Sequence, residues 1–133
     1  MKLRHMFPLA ALVTSALVLS TFAAAPLSAE SSKVYHTVVF WLKPETPTAK
    51  VEEITRAIKT LDDLPMVEKV LVGTPIMSDR EIVDDSFTIA FTMIFNDQAS
   101  LSAYSDDPHH KKISSELTMP YVARGVIYDY QSQ

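Results

Sequence analysis

Between Phe87 and Phe95 the chain alternates without a break, with Phe87, Ile89, Phe91, Met93 and Phe95 on one side and Thr88, Ala90, Thr92 and Ile94 on the other. A period of two means a strand with one large apolar face. The stretch Val34–Leu42 behaves the same way, His36, Val38, Phe40 and Leu42 alternating with Tyr35, Thr37, Val39 and Trp41. Pro44 and Pro47 end it. Thr48–Leu64 then carries Val51, Ile54, Ile58 and Leu61 at spacings of three and four, which predicts an amphipathic helix. Met66–Ile76 reads as a second strand interrupted by Gly73 and Pro75, and the polar run Ser78–Asp85 as a turn. A helix over Asp97–Ser105 is restarted by Pro108 and runs to about Thr118, and Val122–Tyr130 is a last strand. The order β-α-β-β-α-β predicts an α+β, ferredoxin-like fold: a four-stranded antiparallel sheet with two helices on one face.

Two helices cover only one face of that sheet. The other face carries Val39, Trp41 and Ile94, and an apolar patch of that size is rarely left wet. Sheet-on-sheet packing of two copies covers it, so the expectation is a homodimer with a barrel-like interior, a dimeric α/β-barrel. The competing expectation is a monomer whose open face is partly covered by the C-terminal tail.

The first 29 residues stand apart. Met1-Lys-Leu-Arg4 is a basic start, Leu9 to Ala25 an apolar run, and Leu27-Ser-Ala29 a small-residue ending, together a secretory signal peptide cut before Glu30. An uncleaved membrane anchor is the alternative, although Thr14, Ser15, Ser20 and Thr21 dilute the run and it is short for a span. The expectation is therefore a domain over 30–133 in a bacterial periplasm or outside the cell, without stable membrane association after cleavage. The absence of cysteine excludes a lipid-modified lipoprotein, disulfides and thiolate metal sites. Ten basic against 16 acidic residues give the mature part a net charge of −6, and its longest basic run is Lys111-Lys112. That argues against a nucleic acid or an anionic membrane surface as partner. Gly73 and Gly125 are the only glycines, so phosphate-cradling loops, and with them nucleotide binding of the P-loop or Rossmann kinds, are excluded.

The residue pattern with most chemical content is Tyr104-Ser-Asp-Asp-Pro-His-His110. Asp107 suits a helix N-cap and Pro108 the first helical position, which places His109 and His110 in the first turn. Ile113 and Leu117, three and seven residues on, put His110 on the apolar stripe and His109 on another side. An inward histidine at a helix N-terminus sits in a field that disfavours its cation, leaving a neutral imidazole able to act as general base or hydrogen-bond donor.

These two stretches together are similar to the stress-responsive dimeric α/β-barrel (Dabb) family. A strand of the form His-x-Val-x-Phe with a lysine at its end corresponds to His36, Val38, Phe40 and Lys43, and a helical Tyr-x-x-x-Pro-x-His to Tyr104, Pro108 and His110. The resemblance spans Lys33 to about Tyr130. It implies a homodimer and a cavity between sheet and helices lined by His36, Tyr104 and His110, without implying one activity. In a plant polyketide cyclase of the family the catalytic histidine holds the position of His110, with a tyrosine at Tyr104 and a histidine at His36. A pocket tyrosine of that enzyme is replaced here by Ile58.

Each residue also has a plain structural reading. His36 fits a hydrogen-bonded core histidine, Tyr104 an amphipathic helix position, and His110 a half-exposed first-turn residue. His109, Lys111 and Lys112 read as a solvated face, and Met66, Met77, Met93 and Met119 as core filler. A metal site from His36, His109 and His110 is not expected, because adjacent helical histidines point apart and no carboxylate sits at a usual ligand spacing, and no cofactor is expected. Three functions follow: a domain binding a small apolar, phenolic or carbonyl ligand; a cofactor-independent lyase, cyclase or isomerase with His110 as base and Tyr104 or His36 as donor; and a structural or stress-protective dimer whose cavity is filled by side chains.

Overall fold

A computed structural model describes residues 32–133, so the leader expected over residues 1–29 lies outside the described residues. The elements are β1 (Val34–Leu42), α1 (Thr48–Lys59), β2 (Lys69–Gly73), β3 (Ile89–Phe95), α2 (Gln98–Asp106), α3 (Pro108–Lys112) and β4 (Val122–Gln131). The four strands pair antiparallel in the order β2-β3-β1-β4, the ferredoxin-like arrangement. The two strands that are apolar on both sides, β1 and β3, are the central ones.

Local chemistry explains the element ends. The Pro47 carbonyl accepts from the Lys50 and Val51 amides at 2.8 and 3.1 Å, which starts α1 directly behind a residue that cannot itself continue a strand. The helix is shorter than the sequence suggests, because its last turn tightens into a 3₁₀ turn over Thr60–Asp63 that still buries Leu61. β2 also covers less than Met66–Ile76. Beyond Gly73 the chain leaves the sheet at Pro75, which has no N–H to give a ladder, and Ile76 and Met77 are exposed. Met77 is thus not core filler. Met93 is fully buried, Met66 packs partly against the core, and Met119 lies half exposed on a cavity rim.

The core lies between the sheet and the helices. Val38, Phe91, Met93 and Phe95 from the inner sheet face meet Ile54 and Ile58 of α1, with Tyr104 and Ile113 closing the other end. Among the described residues no helix lies on the outer face. There Tyr35 stacks on Tyr130 at 5.0 Å, the Thr37 and Thr92 hydroxyls share a hydrogen bond of 2.9 Å, and the Arg124 guanidinium lies 4.2 Å above the Trp41 ring. Leu71, Tyr128 and Tyr130 remain 53, 60 and 53% exposed on it. The C-terminal tail does not cover this face. Its Ser132 amide donates to the Lys33 carbonyl at 2.9 Å, so the tail prolongs the β4 ladder along β1.

Candidate functional site

A cavity of about 280 Å³ opens between the inner sheet face and the second helical layer. His36, Tyr104 and His110, the three residues singled out from the sequence, all line it. Tyr104 is the hub: its ring lies 4.1 Å from that of His110, 5.9 Å from that of His36 and 5.3 Å from that of Phe95. The remaining walls are mostly apolar, with Val38, Phe40, Ile58, Phe91 and Ile113 inside and Met119 and Ile127 toward solvent.

His110 is placed by the start of α3. The Asp107 carboxylate accepts from the His109 and His110 amides at 2.8 and 3.1 Å, with Pro108 in the first turn, the cap the local sequence predicts. The rest of the expected stripe changes phase. After five residues the helix widens into a π-type turn over Ile113–Thr118, followed by a 3₁₀ turn over Met119–Tyr121. One extra residue in the turn brings Thr118 rather than Leu117 to the cavity, where its hydroxyl donates to the Ile113 carbonyl at 3.0 Å. Ser114 joins it on the same wall. His109 points elsewhere, its Nε2 3.1 Å from the Thr60 hydroxyl.

The electrostatics separate the three rings. Burial holds His110 below the ordinary imidazole range. The Ser105 and Tyr104 carbonyls oppose this without making a full hydrogen bond to its buried Nδ1, and His36 reinforces it. Desolvation is the largest cause of the neutral state, and the Asp107 carboxylate at the helix start works against it. Burial, and then the Asp107 charge, push the Tyr104 hydroxyl well above its ordinary range, so it remains an undissociated donor. His36 Nδ1 is bonded to the Asp129 carboxylate at 2.6 Å, which fixes a proton on Nδ1 and leaves Nε2 for a ligand. Among the described residues no group of three or more histidines and carboxylates is arranged to hold a metal.

Three contributors were missed in the sequence. Asp129 faces His36 directly across the β1–β4 ladder, a relation that only the strand register reveals. Thr118 depends on the π-type turn. Gly125 sits opposite Phe40, and a β-carbon there would lie 3.1 Å from the Phe40 ring, so glycine lets that ring form part of the cavity wall.

The depressed His110 value makes stability depend on pH. Below about 6.5 the unfolded chain binds a proton at this position more readily than the folded chain does. This residue's contribution is therefore complete above pH 6.5 and is lost as pH falls from there through the lower folded value. Urea midpoints at pH 7.5 and 5.0 should differ more for the wild type than for His110→Leu. Equal differences would place the acid sensitivity elsewhere.

A family model described as "Stress responsive A/B Barrel Domain" matches residues 34–132. No curated protein matches the chain. Among solved structures, a hydroxynitrile lyase from Passiflora edulis is 20% identical with a TM-score of 0.70, over 77% of this chain and 95% of that one. A Dabb family protein with a ferredoxin-like fold from Mesorhizobium loti is 25% identical with a TM-score of 0.63, over 77% and 98%. A dimeric ferredoxin-like protein of unknown function from Thermobifida fusca is 18% identical with a TM-score of 0.64, over 80% and 96%.

Proposed function

The chain belongs to the stress responsive A/B barrel domain family, and from that premise we propose that it is an exported homodimer binding a small, largely apolar molecule with one carbonyl or phenolic group. The observation that carries this reading is the cavity itself, apolar on most sides with two imidazoles and a phenol gathered at one end. A space of about 280 Å³ suits a compact ligand of about ten non-hydrogen atoms, taking roughly 30 Å³ for each. Neutral His110, the undissociated Tyr104 hydroxyl and His36 Nε2 offer both donors and an acceptor to one oxygen atom. Export rests on the leader pattern before Glu30. Self-association rests on the outer sheet face, which no helix among the described residues covers, and on like-folded proteins described as dimeric.

A second reading is a cofactor-independent lyase, cyclase or isomerase. The packing of the Tyr104 ring on His110 favours it, since it sets a neutral imidazole able to take a proton beside a phenol that stays protonated as a hydrogen-bond donor. His110 would take the proton and Tyr104 would donate to the developing oxyanion. His36, whose proton is held on Nδ1 by Asp129, offers Nε2 as an acceptor and not as the expected donor. A structural or stress-protective dimer whose cavity is filled by side chains fits the observed cavity least well.

Native mass spectrometry of the exported protein tests binding directly. The expected spectrum shows a dimer of chains starting at Glu30 with a small-molecule adduct. In Ile127→Trp, where a large ring plugs the rim, the adduct should fall at least about tenfold. An adduct-free wild type that also binds no neutral phenol or aromatic aldehyde at millimolar concentration would remove the binding reading.

A further inference from the structure

Lys43 closes the strand that carries His36, yet it does not line the cavity. Its side chain reaches the far side of the site. Nζ donates to the Pro120 carbonyl at 2.6 Å, and the Lys43 amide donates to the Tyr121 carbonyl at 2.8 Å. Both carbonyls end the helical run that begins at Pro108, where backbone acceptors lack partners and a cation is favoured. The Lys50 ammonium also lies 5.2 Å over the Tyr121 ring.

This attachment matters because of what the run carries. Residues Ile113 to Tyr121 form one wall of the cavity and supply Ser114, Thr118 and Met119 to it. Within nine residues the wall passes from a π-type to a 3₁₀ turn, and each change of helical width interrupts the regular bond ladder. Pro120 has no N–H to contribute. The wall is therefore poorly held from within, and its downstream end is tied to the sheet just where the β1–β4 register shifts, between Trp41 and Leu42.

We propose that Lys43 is a positioning residue that clamps the Ile113–Tyr121 wall to the end of β1 and thereby sets the width of the cavity mouth. It touches no ligand and acts through Thr118 and Met119. The consequence for ligand residence rests on the binding reading above; the clamp itself does not.

Amide hydrogen exchange on the full mature protein separates the two. In Lys43→Met, which keeps the stem and removes the donors, peptides covering 113–121 should exchange about fivefold faster, as for the loss of one charge-assisted but exposed bond. Peptides of β1 and β3 should keep their wild-type rates, and Lys43→Arg should restore most of the protection. Release of 2-naphthol, followed by stopped-flow fluorescence, should accelerate by a similar factor in Lys43→Met. Unchanged exchange over 113–121, or a rise spread equally over the whole chain, overturns the clamp. Failure of the wild type to bind 2-naphthol counts against the ligand class alone, because the exchange result still decides whether Lys43 holds the wall.

Discussion

Replacing Val39 by aspartate should turn the protein from a dimer into a folded monomer. Val39 lies near the middle of the outer sheet face, between its ladder partners Ala90 on β3 and Val126 on β4. In a single chain that face is only partly covered, so the new carboxylate stays hydrated and the fold is spared. In a face-to-face pair related by a two-fold axis it is buried on both sides, and each unpaired buried charge costs several kcal/mol. A change of that size raises the dissociation constant by at least about a thousandfold. Light scattering at micromolar concentration should give twice the mass of one chain for the wild type and for Val39→Ala, and the single mass for Val39→Asp. A dimer that survives the aspartate would mean that the copies meet on some other surface.

The architecture was legible in the sequence wherever one periodicity ran long enough to decide an element. β1 matches its expected bounds because an alternating stretch meets prolines at one end. The element order was readable because each apolar period switches cleanly between two and 3.6. Two kinds of information were not local. The widened turn after Lys112 has no residue marker, since a change from i+4 to i+5 bonding leaves composition untouched. It swaps Leu117 for Thr118 at the cavity. The pairing of His36 with Asp129 joins residues 93 positions apart and is set by strand register. His110 was readable because the Asp107-Pro108 cap ties the phase of the new helix to a specific residue, whereas Tyr104, in the helix before it, was singled out only by the resemblance.

That contrast bears on whether the three rings are a site or a core. A packing histidine would have its polar atoms satisfied, as buried polar groups usually are. His110 Nδ1 is buried near the Ser105 and Tyr104 carbonyls without a full hydrogen bond, while its ring packs against a phenol and lines an open cavity. The fold bears that cost at a position where an apolar residue would fit. Natural proteins keep such costs most often where a function needs the group.

His110→Leu should therefore make the protein more stable and abolish what the cavity does. Leucine removes the unsatisfied nitrogen and adds apolar surface against Ile113 and Tyr104, while the Asp107 bond to the residue 110 amide survives because it uses only the backbone. The expected gain is about 1 kcal/mol at neutral pH, or a rise in Tm of about 4–8 °C for a domain of this size. It should be larger at pH 5, where the wild type also works against protonation of this ring. Affinity for a phenol or carbonyl ligand should fall at least about tenfold, and if the site is catalytic the rate should fall by about 10²–10⁴. Calorimetry on the protein freed of ligand gives the first quantity, and titration or turnover the second. A variant that loses stability and keeps its ligand would show that the His110 ring is a structural member of the core, and the wall of the site would then have to be sought around His36 and Asp129 instead.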